Sequence, residues 1–253
     1  MKKAHRNSIY GKSFFLCLLA VCLVFFNVSC GLDVISVVLD DPVSVTFSPN
    51  KDSTLEGCIF EFSTRKLDNS NDMGKGYVYY NIYNKSSIEN SEVNSLTTIA
   101  NDSVRKFESA HSLINTYGYK ELHFSNDTGA SSDVFTLDNQ NQNEIRIRLS
   151  NYGDEAGSKF SAYIKIGDAI KGVPVRLNGS SFDFGRAGSN DKVPETTDDD
   201  ARKFEESQPD EEKGLYYVAL FYVFMMYDDF YTPVYSPIHY LGTVTINATD
   251  VNN

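Results

Sequence analysis

The chain has 253 residues, 16 Tyr and 17 Phe but no Trp, and a formal net charge of −11. An acidic chain without clustered Lys and Arg has nothing to neutralise a phosphate backbone, which excludes nucleic acid as a partner. The length suits one large β domain or two small ones, and the aromatic content suffices for a sizeable core.

Lys2, Lys3, Arg6 and Lys12 precede an unbroken apolar run, Phe14 to Phe26, followed by Asn27-Val28-Ser29-Cys30. The run falls short of the about 20 apolar residues that a membrane-spanning helix needs. A basic leader, a short apolar stretch and a small residue at its end describe a signal peptide over residues 1–29. A buried core helix, an ordinary secretory signal and an uncleaved anchor are the other readings of these residues. The ending resembles the lipobox of bacterial lipoprotein precursors, in a relaxed, spirochaete-like form with Asn27 where the family prefers Leu. That resemblance implies cleavage after Ser29, lipidation of Cys30, and attachment of the mature chain to the cell envelope through a membrane lipid anchor. The expected address is the outer membrane, periplasmic or surface-exposed. One acyl chain holds a protein marginally, whereas the two or three carried by such lipoproteins anchor it stably.

Loss of residues 1–29 removes four basic and no acidic residues, so the formal charge of the mature chain is −15. Anionic headgroups repel such a surface, and the lipid must supply the attachment. Of the four cysteines, Cys17 and Cys22 lie in the apolar run and Cys30 carries the lipid, which leaves Cys58 without a disulfide partner. Cys58 alternates with Phe60 and Phe62 and reads as a small core residue.

Gly31–Leu39 is β-branched and reads as a strand, as do Val43–Phe47 and Leu55–Thr64. Asp68–Gly76 is a polar loop. Tyr77–Tyr83 has two apolar faces and belongs inside a sheet. Ser95–Tyr117 repeats apolar residues at three- and four-residue steps, from Leu96 through Val104 and Phe107 to Tyr117. This predicts an amphipathic helix, capped by Asn94 or Ser95, ended by Gly118 and laid on the outside of a sheet. Short strands are expected at Glu121–Ser125, Asp133–Leu137, Glu144–Ser150, Lys159–Gly167 and Val173–Leu177. Gly179–Gly214 carries ten acidic residues between Asp191 and Glu212 and reads as a loop, solvated or disordered. Leu215–Met226, twelve residues without a charge, is expected as a central strand covered on both faces. Tyr240–Asn247 returns as the last strand.

These elements describe a mainly β chain: one mature β-sandwich domain, residues 30–253, with one inserted helix. Gly76-Tyr77-Val78-Tyr79-Tyr80, Glu212–Val218, Ser236-Pro237 and Thr243-Val244-Thr245 resemble strands of fibronectin type III and related immunoglobulin-like sandwiches. The resemblance implies that fold and carries no function.

No phosphate loop, nucleophile elbow or paired-histidine metal motif occurs, and His111, His123 and His239 are widely spaced. Asp68-x-Ser70-x-Asp72-x-Gly74, without the closing acidic residue, and the weaker Asp138-x-Gln140-x-Gln142 with Glu144 have calcium-like spacing and read as turns. The expectation is no cofactor, no metal and no catalysis. The candidate contact site is the tip from Tyr227 to Tyr235, where Tyr227, Phe230, Tyr231 and Tyr235 offer rigid aromatic surface to a protein or glycan ligand. The plainer reading is that these rings cover the end of the sandwich. A structural or assembly subunit of an envelope complex is the alternative, and a hydrolase with a non-local site is the third.

Overall fold

A computed structural model describes residues 43–44, 59–64, 74–84, 88, 92–125, 132–138, 142–153, 159–184, 193–202, 214–228 and 230–247. Cys30, Ser29, Cys58, the Gly31–Leu39 segment and most of both calcium-like turns lie outside them. In chain order the strands are β1 (Val43–Ser44), β2 (Ile59–Thr64), β3 (Lys75–Tyr83), β4 (Lys120–Glu121), β5 (His123–Ser125), β6 (Ser132–Val134), β7 (Thr136–Asp138) and β8 (Asn143–Arg148). There follow β9 (Tyr152–Gly153), β10 (Lys159–Phe160), β11 (Tyr163–Ile166), β12 (Ala169–Val175), β13 (Leu215–Tyr227), β14 (Pro233–Tyr235) and β15 (His239–Asn247).

Two antiparallel sheets form a β-sandwich. The first runs β1-β2-β8-β11-β12-β5-β6. The second is centred on β13 and β3, which pair along nine residues from Tyr217↔Tyr83 to Met225↔Lys75. On the other side of β13, β15 pairs Leu215–Tyr222 and β14 pairs Met225–Tyr227, and β4 and β7 pair the other side of β3. The chain changes sheets twice at one corner. Leu122 separates β4 from β5 and donates its amide to the Val78 carbonyl; Phe135 separates β6 from β7 and donates to the Leu122 carbonyl. The expected strands Glu121–Ser125 and Asp133–Leu137 are therefore each split, because one half belongs to each sheet.

Period-two patterning explains the inner core. Phe60, Phe62, Ile145, Ile147 and Ile164 from the first sheet meet Val78, Tyr80, Ile82, Val218, Leu220, Tyr222 and Phe224 from the second. Close packing sets one residue choice in β3: a Cβ on Gly76 would collide with the Tyr222 ring. The alternate residues of the same two strands, Tyr79, Tyr83, Ala219, Phe221 and Val223, are buried on the opposite face. There they pack under Val93, Leu96, Ala110 and Leu113 of the helical insertion. β13 is thus buried on both sides over its central turns, as its uncharged sequence predicts.

The insertion covers the sheet as expected, but it is not one helix. α1 (Val93–Asn101) ends where Asp102 turns extended, with ψ of 126°. A 3₁₀ turn (Arg105–Glu108), one α turn (Ser109–His111) and a π turn (Ser112–Thr116) follow. Asp102 causes the break. Its Oδ1 accepts the amides of Val104 and Arg105, both at 2.9 Å, and so starts a new helical segment in place of continuing the old one. Those amide bonds hold its carboxyl below the ordinary carboxylate range. The break swings the expected stripe residues Val104 and Phe107 to the surface, 79% and 42% exposed. Asn94 and Ser95 fall inside α1 and cap nothing, whereas Gly118 takes the left-handed conformation predicted for it, with φ of +65°. Among the described residues no helix is long and apolar enough to cross a membrane.

The acidic stretch departs most from expectation. Phe182 and Phe184 are fully buried, with ring centroids 5.1 Å from Tyr80 and 5.0 Å from Tyr216 respectively. Residues 193–202 lie along β3: the Ile82 amide donates to the Asp200 carbonyl at 3.0 Å and the Arg202 amide to the Ile82 carbonyl at 2.9 Å. These residues keep the loop form expected of them, with Val193, Glu195, Thr196, Thr197 and Asp199 exposed, but they are tied to β3 as a strap.

Candidate functional site

The hairpin between β13 and β14 presents the predicted aromatic tip. Asp228 organises it. Its Oδ1 accepts the amides of Phe230 (2.9 Å) and Thr232 (2.8 Å), its carbonyl accepts the Tyr231 amide (3.0 Å), and its own amide donates to the Thr232 carbonyl (3.0 Å). Tyr231 is held in the left-handed region, φ +60°, which costs a non-glycine residue about 1–2 kcal/mol. The turn leaves Phe230 83% and Tyr231 87% exposed, and Tyr227 is 56% exposed. Two bare rings thus stand on a turn with four internal hydrogen bonds. Tyr235 differs from the other three. It lies in β14 opposite Met225 and packs, half-buried, against the outer-face cluster. It borders the tip and is not part of it.

Beside Tyr235 the outer face of the second sheet is lined with tyrosine. Tyr77 and Tyr79 alternate on β3, with ring centroids 6.4 Å apart, and the Tyr79 hydroxyl donates to Glu121 Oε1 at 3.3 Å. Burial raises the Tyr77 hydroxyl above its ordinary pKa, and the negative charge of Glu121 adds to that. Tyr235 is raised by burial too, then by Tyr227 and by Glu121. These four tyrosines and one carboxylate therefore share a neighbourhood that sequence spacing does not reveal, because they come from four strands.

Two buried polar networks pin the strap. Arg176, fully buried, donates from Nε and Nη2 to both oxygens of Asp200 (3.0 and 2.6 Å) and from Nη2 to Asp198 (2.6 Å). Tyr80 donates to Asp200 at 2.6 Å and accepts the Leu177 amide at 2.8 Å. Burial alone would lower the Arg176 guanidinium, but hydrogen bonds and charge from Asp200 and Asp198 outweigh it and hold the group above its ordinary value. Burial, with the charge of Asp200 added, raises the Tyr80 hydroxyl well above the usual tyrosine value. At the other end of the strap, Glu92 Oε1 accepts Tyr83 (2.9 Å) and Arg202 (2.6 Å from Nη2), and the Tyr83 and Tyr119 hydroxyls bond each other at 2.7 Å.

A cavity of about 360 Å³, lined by Leu177, Asn178, Thr197 and Asp198–Asp200, adjoins the first network. Of the three carboxylates that line it, Asp198 and Asp200 both accept hydrogen bonds from Arg176. The network does structural work, and sequence inspection passes over it. Its signal is slight: Arg176 follows the apolar run Val173-Pro174-Val175, where a charge is out of place. Among the described residues no group of three His, Cys, Asp or Glu gathers to hold a metal ion. His111 is exposed on the helical insertion, whereas His123 and His239 lie half-buried in different sheets. Compared with known proteins, the chain matches no family model, no curated protein and no solved structure.

Proposed function

We propose that this chain is a lipid-anchored cell-envelope lipoprotein that works as a non-catalytic binding module, taking a protein or glycan ligand at the β13–β14 tip. The observation that carries the reading is the exposure of Phe230 and Tyr231 on a turn that Asp228 holds rigid. Aromatic side chains so placed lose little entropy on binding and supply large contact area. The helical layer covers the centre of β13 on its outer face, and the tip is where β13 emerges from that cover. Anchoring rests on Cys30, with cleavage after Ser29.

Two experiments test this. Cells fed labelled palmitate are expected to label the chain, and Cys30→Ala is expected to abolish the label; a wild-type chain that takes up none rejects the anchor. Phe230→Ser with Tyr231→Ser touches no buried group and is expected to shift stability by no more than about 0.5 kcal/mol. The same pair is expected to weaken crosslinking to envelope proteins, or retention on envelope glycans, about tenfold or more. A folded double variant that binds as before rejects the tip.

A further inference from the structure

We infer that the tyrosine-lined face beside the tip, Tyr77, Tyr227 and Tyr235 with Glu121, which the buried Tyr79 holds by its hydroxyl, seats the side chain of an arginine or lysine presented by a partner protein. The inference rests on the binding-module reading and names the chemistry of the ligand. Register places the residues on one face. Glu121 stands opposite Tyr79, Tyr77 opposite Val223, and Tyr235 opposite Met225. The sheet order β4-β3-β13-β14 then sets the carboxylate at one side and Tyr235 at the other, with the buried Val223 between Tyr77 and the β14 side. Tyr77 and Tyr235 both pack on the outer-face cluster, so their rings have fixed positions.

Charge selects the occupant. Glu121 accepts the Tyr79 hydroxyl but makes no ion pair among the described residues. Lys75 lies on the same face, opposite Met225, and forms no ion pair with it. Other partly exposed pairs on this protein do close, such as Arg146 with Glu61 at 2.7 Å. A carboxylate without an ion pair among the described residues, beside tyrosine rings whose faces are negative at the centre, favours a cation over any neutral or anionic group. Asp228 in the adjoining turn and the chain's net charge of −11 act in the same direction at longer range. A guanidinium or ammonium group meets both demands: it stacks on the rings and hydrogen-bonds the carboxylate.

The test uses the full chain in detergent at about 0.15 M salt, where exposed charges are screened beyond roughly 8 Å. The probe is a tetra-arginine peptide, with tetraglycine and chitotetraose as controls, and the readouts are calorimetry and tyrosine ring resonances. The expected result is that tetra-arginine shifts the Tyr77 and Tyr235 rings, that Glu121→Gln binds it about tenfold less tightly, and that Glu121→Asp retains most of the affinity. Gln still accepts the Tyr79 hydroxyl, so loss of fold is not the cause of a weaker fit; near-ultraviolet dichroism checks this. Equal affinity in wild type and Glu121→Gln, or no binding by wild type, overturns the inference. So does chitotetraose shifting these rings when tetra-arginine does not. Phe230→Ser with Tyr231→Ser leaves Glu121 in place, so failure of the tip and failure of this seat are read separately.

Discussion

Asp200→Ala is expected to destabilise the fold by about 3–5 kcal/mol, the cost of stranding one member of a buried ion pair. Asp200 is 2% exposed and Arg176 fully buried. Removal of the aspartate leaves the guanidinium with Asp198 alone and deprives the Tyr80 hydroxyl of its acceptor. A loss of that size is a large share of the 5–15 kcal/mol typical of a domain. Urea denaturation gives the magnitude, and limited proteolysis of residues 193–202 gives the place. The pair itself contributes far less than its loss suggests, since two charges had to be desolvated to make it. Arg176→Met combined with Asp200→Leu is therefore expected to cost clearly less than Asp200→Ala alone. If Asp200→Ala unfolds at the wild-type urea concentration, the strap is held by its backbone bonds to Ile82 and not by the charges.

Phe221→Ala is expected to cost about 3–5 kcal/mol, in the range for emptying a phenylalanine site from a packed core. The ring is fully buried on the outer face of β13, edge-on to Tyr119 at 5.3 Å and tilted against Tyr240 at 5.1 Å. The cavity would open between the sheet and the helical insertion, so faster hydrogen exchange should appear first in residues 93–116. Val104→Ala is the control. A continuous helix over Ser95–Tyr117 would put Val104 against the sheet and make its loss costly, but at 79% exposure its truncation should change stability by no more than about 0.5 kcal/mol. Equal effects from the two variants would mean that the insertion packs on the sheet in another way.

Val104 shows why part of the fold was legible and part was not. The apolar spacing from Leu96 to Tyr117 correctly says that this segment covers a sheet. It does not register that Asp102 has a carboxylate able to cap Val104 and Arg105, and one such competitor rotates everything after it. At Leu122 and Phe135 a single apolar residue marks the switch between sheets, and no local pattern separates that from an ordinary inward residue. The aromatic tip was legible because turn chemistry and ring content are both local. Its neighbour Glu121 was not, since it meets Tyr79 across strands and pairs with no cation among the described residues.

What the chain alone determined is whatever depends on near neighbours. Alternation in β2, β3 and β8, the two apolar faces of β13 and the turn after Tyr227 follow from side-chain period and backbone sterics over a few residues. What only the tertiary structure decided is where charge goes. Ten acidic residues in a short stretch predict a hydrated loop, because each carboxylate by itself prefers water. Arg176, 24 residues before Asp200 and sealed under the second sheet, reverses that preference for one of them, and a pairing between residues so far apart in the chain is set by the packed fold and by nothing local.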